Sequence, residues 1–346
     1  MTHGLKMSKL FPKANFDNTQ TIQPYWLKAS ATPENDSVTI VTVITPGTWS
    51  ELEQLSKHWK GFISATLHME ADDTDSKNFF LEQYAKNMDL SQRVDIHLSE
   101  IPHEKLSVLL PRNAERNLAR LLARSEYVME IASNMVPATD IQRTLDTNKD
   151  MFEKLLKDGD VLVLPMFGFP AQESTAYKVP NSKDRLLQLV NDDDMFLLDK
   201  HWKPNTGPTD LEAWKVATTL YSVERYDFHY EPIVIESKTV QPWCSERFLD
   251  SRSACLLETY LSGGEFWVLP DDYIVVLPET EKSSLSDFDT VIENRLYAKF
   301  YWEQCVYHAR QLDALGLWKG KRSQHIRTQC SRVIQNWGKG LIGKPE

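Results

Sequence analysis

The chain has 346 residues, 41% hydrophobic and 25% charged, the composition of a folded globular protein rather than a disordered one. Its formal net charge of −10 excludes a general affinity for nucleic-acid backbones or anionic membrane surfaces. No run approaches the roughly 18 apolar residues of a membrane helix, and the opening MTHGLKMSKLFPKANF lacks the apolar stretch of a signal peptide.

Residues 1–36 are polar and punctuated by proline, and are expected to be a flexible lead-in. At their end, Asn35-Asp36-Ser37 fits the acceptor pattern for N-glycosylation. Residues 38–45 (VTIVTVIT) are β-branched and almost continuously apolar, as in a buried parallel strand. A helix over 49–59 follows, with Leu52, Leu55 and Trp59 inward, then a strand over 63–69, an acidic helix over 72–87 and a strand over 94–98. This alternation predicts an α/β sheet. No glycine-rich phosphate loop follows the first strand, which excludes a P-loop or a Gly-x-Gly-x-x-Gly dinucleotide site.

The next stretch, LPRNAERNLARLLARSEYVMEIASNMVP over 110–137, organises the rest. Ala114, Leu118, Leu121 and Leu122 predict the apolar face of a helix, with Arg112, Arg116, Arg120 and Arg124 recurring beside it every four residues. Tyr127 to Ile131 reads as a strand, and Ala132-Ser133-Asn134 lies just past its carboxyl end, where open α/β sheets place ligands. Further on, the pattern predicts a helix over 141–156, a buried strand over 161–166 and a helix over 182–190. Asp192-Asp193-Asp194 reads as a solvated turn rather than a metal site. Residues 201–214 read as a loop, 226–235 as a strand, 266–269 and 273–277 as short strands, and 289–315 as a long helix ended by Gly316. The segment 319–346 carries seven Lys or Arg and one acid, and is expected to lie against the acidic body. The four cysteines form no Cys-x-x-Cys pair, which leaves one disulfide between Cys244 and Cys255, or none.

Several blocks, taken together, resemble the family 49 glycosyltransferases. They are Val38-Thr39 through Lys57-His58-Trp59; Pro111-x-Asn113-x-x-Arg116-Asn117-x-Ala119; Pro208-Thr209 with Trp214; Tyr230-Glu231-Pro232; and Glu265-Phe266 through Pro278. The resemblance runs from Val38 to Gly316. It implies an α/β fold of the GT-A type, a mixed central sheet flanked by helices. Residues 37–316 would form the glycosyltransferase domain, with a nucleotide-sugar half (37–166) and an acceptor half (167–316), followed by the basic tail 317–346. The implied function is transfer of a sugar from a UDP-sugar donor to a glycan or glycoprotein acceptor. The family works in the secretory pathway, in the Golgi lumen; with no signal or anchor read here, the cytoplasm stays open.

The resemblance also implies a Mn²⁺ site, because a divalent cation clamps the departing diphosphate and prefers hard oxygen ligands. Family members carry Asp-x-Asp where this chain has Ala132-Ser133-Asn134, and His-x-Pro-His where it has Val276-Leu277-Pro278-Glu279. Their Phe-Gly-Trp-Asn-Lys segment corresponds to Ser251–Cys255. The expected metal ligands are therefore none, unless the site is rebuilt with ligands such as Glu279 or Asp250. By the same correspondence Arg116, Asn117, Ser133 and Asn134 are expected at the nucleotide, and Thr209, Trp214 and Glu231 at the acceptor. Asp250 and Glu231 are the candidate catalytic carboxylates, Trp202 is a second ring for stacking on a sugar, and His58, His201 and His229 are expected to be structural. The alternative is an inactive pseudo-glycosyltransferase that serves as a glycan- or protein-binding module.

Overall fold

The computed structural model describes residues 21–102, 111–170, 178–278 and 287–337. Its strands are β1 (Thr21–Leu27), β2 (Val38–Ile44), β3 (Phe62–Glu70), β4 (Val94–Ile101), β5 (Tyr127–Glu130), β6 (Met135–Pro137), β7 (Val161–Leu164), β8 (Met166–Gly168), β9 (Phe196–Leu197), β10 (Tyr221–Ser222), β11 (Ile233–Ser237), β12 (Phe266–Val268) and β13 (Ile274–Val276). A nine-stranded sheet runs β1-β4-β3-β2-β5-β11-β7-β12-β10, and a smaller one runs β6-β13-β8-β9.

The block β4-β3-β2-β5 is parallel. All seven residues of β2 are buried, as their unbroken apolar run requires. Beyond β5 the sheet becomes mixed: β11 is antiparallel to both β5 and β7, and β12 is parallel to β7. Alternation within β7 divides the core. Leu162 and Leu164 pack with Ile40, Leu52 and Ile63 on one face, while Val161 and Val163 pack with Trp214, Phe248 and Phe300 on the other. The result is the mixed α/β sheet flanked by helices that a GT-A fold requires.

Several sequence expectations need correction. The stretch expected as a lead-in carries β1, which pairs antiparallel with β4; residues 1–20 lie outside the described ones. The single strand expected over 161–166 is two, because Pro165 has no N–H to continue the ladder and its carbonyl instead accepts from Ile274 N at 2.9 Å. The strand expected over 226–235 is reduced to Ile233–Ser237. Tyr226 and Tyr230 are buried in the second core, Asp227 closes a turn onto Tyr230 N, and Pro232 offers no donor. The helix expected over 141–156 breaks at Asn148 into Ile141–Thr147 and Lys149–Asp158. The loop expected over 201–214 ends in the Leu211–Val216 helix, whose first turn is capped by Asp210 through Ala213 N.

The long helix is present as Asp287–Ala314, and Gly316 follows it at φ +71°, a left-handed conformation suited to glycine. Four cysteines form two disulfides, Cys244–Cys255 and Cys305–Cys330, where at most one was expected. Cys305 and Cys330 join the long helix to the basic segment, which also donates from Arg322 to the Asp158 carbonyl at 3.0 Å. Residues 338–346 lie outside the described ones.

Candidate functional site

The carboxyl end of β5 is the organising point. Ile131 still donates to Val41 O at 3.1 Å, after which Ala132-Ser133-Asn134 turns the chain into β6. The Ser133 hydroxyl donates to the buried Glu51 carboxylate on the Trp49–His58 helix. Asn134 Nδ2 donates to Leu277 O at 2.7 Å, and Leu277 N donates back to Asn134 O at 2.8 Å. The turn is thereby fastened to the end of β13.

Beside this turn lies a connected set of ion pairs. Arg116, on the Arg112–Leu122 helix, places Nε 2.7 Å from Glu130 Oε1 and Nη2 2.7 Å from Asp250 Oδ1. Its Nη1 donates to Asn113 Oδ1 at 2.9 Å. Arg112 approaches the other oxygen of Asp250 at 3.5 Å. Arg252 reaches Glu130 at 3.5 Å and donates to Pro232 O at 2.7 Å. Next along the chain from Pro232, Glu231 accepts from Lys200 Nζ at 2.8 Å, with His201 Nε2 at 3.8 Å from its other oxygen. The antiparallel register opposes Ile235 to Met129, so Glu231 and Pro232, two and one residues before β11, sit level with the turn after Ile131.

The electrostatics follow from burial and partners. Burial pushes the Asp250 carboxyl up, but Arg116, Arg112 and Lys200 outweigh it and hold the group below its ordinary range. Burial likewise pushes Glu231 up, and His201, Lys200 and Arg252 outweigh it by more, holding Glu231 well below the usual carboxylate range. For Arg252 burial wins and lowers its pKa, despite Glu130. Both carboxylates are ionised at neutral pH and fixed by cations.

The helix carrying Arg116 is polar on its buried side, contrary to the apolar face expected of it. Leu121 is 56% exposed, while Asn113, Glu115, Asn117 and Arg120 are buried. Each is satisfied. Asn113 Nδ2 donates to Ser245 O and Ser251 O, both at 3.1 Å. Asn117 donates to Cys244 O at 2.8 Å and Glu246 Oε1 at 2.9 Å, and accepts from Cys244 N at 3.1 Å. Arg120 donates to Pro242 O at 2.9 Å and Gln241 O at 3.0 Å. Glu115 takes His68 Nδ1 at 2.9 Å and Ser99 Oγ at 2.7 Å. The helix therefore grips the loop that delivers Asp250, and the Cys244–Cys255 disulfide fastens that loop to the Arg252–Leu261 helix.

The sequence model of the family described as "Glycosyl-transferase for dystroglycan" matches residues 99–276, just over half of the chain, taking in the turn, the gripping helix and Asp250. This chain belongs to glycosyltransferase family 49. Among similar proteins, the mouse xylosyl- and glucuronyltransferase LARGE2 is 27% identical over 262 residues, 74% of this chain and 36% of that protein. Human xylosyl- and glucuronyltransferase LARGE1 is 25% identical over 289 residues, 81% of this chain and 36% of that protein. The chain thus spans about a third of the length of the curated relatives it matches. Among solved structures, S. aureus TarS in complex with UDP-GlcNAc aligns with a TM-score of 0.43 at 14% identity, covering 89% of this chain and 76% of that one. GalNAc-T7 with UDP, GalNAc and Mn²⁺ aligns at 0.44 and 10%, covering 88% and 57%. Those two likenesses are too remote to bear on the site.

Of the candidate site residues named from the sequence, Arg116, Asp250 and Glu231 converge in the ion-pair cluster, and Ser133 and Asn134 stand at the adjoining turn. Asn117 has its polar atoms engaged by the Cys244–Glu246 segment. Thr209 is buried, bonded to Asp199 Oδ1 at 2.8 Å and Tyr230 Oη at 2.7 Å. Gly207, at φ +120°, lies against Asp199, where a Cβ would fall 2.3 Å from the carboxylate. Trp214 has no exposed surface; it donates to Leu269 O at 3.0 Å and packs on Phe167 and Tyr273. The second core thus encloses both Thr209 and Trp214, and neither offers a surface to a ligand in this conformation. Asp192–Asp194 form an exposed turn. Glu279 lies outside the described residues.

Sequence reasoning missed Lys200 and Arg252, which had no local signal; Glu130 was readable from the sequence as an ion-pair partner for Arg116, and it is one. A cavity of about 1260 Å³, lined by His58, Trp59, Gly61, Asp140 and Arg143, lies beside the amino ends of β2 and β3, away from the cluster.

Proposed function

We propose that this chain transfers a sugar from a UDP-sugar donor to a glycan acceptor, with the reaction centred on the turn after β5 and the Arg116–Asp250–Glu231 cluster. The observation that carries this reading is convergence. Segments around 116, 130, 200, 231 and 250 meet at the carboxyl end of one sheet, where open α/β folds place ligands. In the reaction, an acceptor hydroxyl oxygen bonds to the anomeric carbon of the donor sugar, the carbon–oxygen bond to the diphosphate breaks with its electron pair leaving on UDP, and the hydroxyl proton passes to a carboxylate. Asp250 and Glu231 are the carboxylates for that proton, each with a cationic partner that restores its charge balance. Two disulfides that use all four cysteines support work in an oxidising compartment such as the secretory lumen. Among the described residues, no helix is long and apolar enough to cross a membrane.

The test is UDP release from UDP-glucuronic acid, UDP-xylose, UDP-glucose, UDP-galactose and UDP-GlcNAc with xyloside, glucuronide and galactoside acceptors. The expected result is acceptor-dependent release from at least one donor, reduced about a hundredfold or more by Asp250→Asn or Glu231→Gln. The missing carboxylates at 132–134 favour a second reading, an inactive module that binds nucleotide or glycan. UDP binding with no turnover on any donor supports that second reading and contradicts the first.

A further inference from the structure

The donor's diphosphate must be neutralised as it leaves. The residues at the turn after β5 do not fit a divalent cation. Ala132 has no ligating atom, the Ser133 hydroxyl is engaged by Glu51, and the Asn134 amide is tied to Leu277. Of the nearby carboxylates, Glu51 is held by the Ser133 hydroxyl, and three are paired with side-chain cations: Glu130 with Arg116 and Arg252, Asp250 with Arg116 and Arg112, and Glu231 with Lys200. Among the described residues, no group of three or more His, Cys, Asp or Glu is placed to hold a metal ion.

What the cluster offers instead is fixed positive charge. Resting on the transferase reading above, we infer that Lys200, backed by Arg252, takes the place of a metal ion in binding the donor's diphosphate. The side chains of Arg116 and Arg252 are each only 12% exposed, so they supply a field whose orientation needs no rearrangement. Lys200 is the reachable member. Its side chain is 55% exposed, while the carboxylate it leans on is 6% exposed. A phosphate arriving from solvent therefore meets the ammonium first. One of the three ammonium donors points at Glu231 Oε2, which leaves two for phosphate oxygens. The level of Glu231, two residues before β11 and opposite the turn after Ile131, puts this ammonium at the same sheet end as Ala132–Asn134.

Calorimetric titration with UDP tests this, in 1:1 comparisons of buffer with chelator and buffer with Mn²⁺, on the intact chain and on Lys200→Met and Lys200→Arg. Lys200 is exposed enough for both variants to fold, which circular dichroism checks. The inference expects UDP affinity to agree within about twofold with and without metal, to fall about tenfold or more in Lys200→Met, and to be largely kept in Lys200→Arg, since one lost charge-assisted contact is worth about that factor. Affinity that rises tenfold or more with Mn²⁺, or that is unchanged in Lys200→Met, overturns it while leaving the transferase reading in place. No UDP binding under either condition overturns both.

Discussion

Replacing Arg116 with Met is expected to lower the free energy of unfolding by about 3–5 kcal/mol, the range for removing one partner from a buried ion pair. Arg116 is 12% exposed and stands between Glu130 and Asp250, 2.7 Å from each. Without it the two carboxylates keep, among the ion pairs of the described residues, Arg252 and Arg112, each at 3.5 Å, and Asn113 Oδ1 loses the donor that orients the amide toward the Asp250 loop. Adding Asp250→Asn to Arg116→Met should recover part of the loss, because the unpaired charge is then gone. Denaturant midpoints measure both. The pH dependence has a fixed sign. Arg116, Arg112 and Lys200 overcome the effect of burial and depress the folded pKa of Asp250. Its stabilisation is therefore present above the unfolded pKa and lost as pH falls through the folded one. In Arg116→Met that acid-side loss should begin at higher pH. A change below about 1 kcal/mol, the level of an exposed pair, would mean that the pair is solvated in solution.

Removing the disulfides should separate stability from ligand binding. The double variant Cys305→Ala, Cys330→Ala opens a loop of sequence separation 25 between two fully buried positions, and should cost about 2–4 kcal/mol with UDP affinity unchanged. Cys244→Ala with Cys255→Ala opens a separation of only 11. Loop-closure entropy grows slowly with length, so the stability cost should be somewhat smaller. Here UDP affinity should also fall, because the bridge fastens the loop that brings Asp250 to Arg116. Thiol titration of the unreduced, unfolded chain should find no free cysteine; four titrating thiols would contradict the pairing.

Much of the fold was legible because its signals are local. The apolar run at β2, the strand–helix alternation to residue 98 and the glycine after the long helix each act within a few residues. What failed has a common cause. The Arg112–Leu122 helix was read for an apolar stripe, but its buried side includes Asn113, Asn117 and Arg120, which donate to carbonyls more than a hundred residues away. A polar residue that is buried because a distant loop supplies its partner looks identical in sequence to one that faces water. The repeats Asn113/Asn117 and Arg112/Arg116/Arg120 were visible as a spacing, yet nothing nearby revealed what they hold. In the same way the family blocks located Arg116 and Glu231, while Lys200 and Arg252 emerge only once the chain is folded around them.

Amide hydrogen exchange with and without saturating UDP tests the central claim most directly, because it reports where the nucleotide sits. Protection should appear in peptides covering 130–134, 199–203, 231–233 and 249–252, and be absent from those covering 58–62 and 140–147 around the cavity at the amino ends of β2 and β3. Protection confined to that cavity, or none at the carboxyl end of β5, would contradict the account.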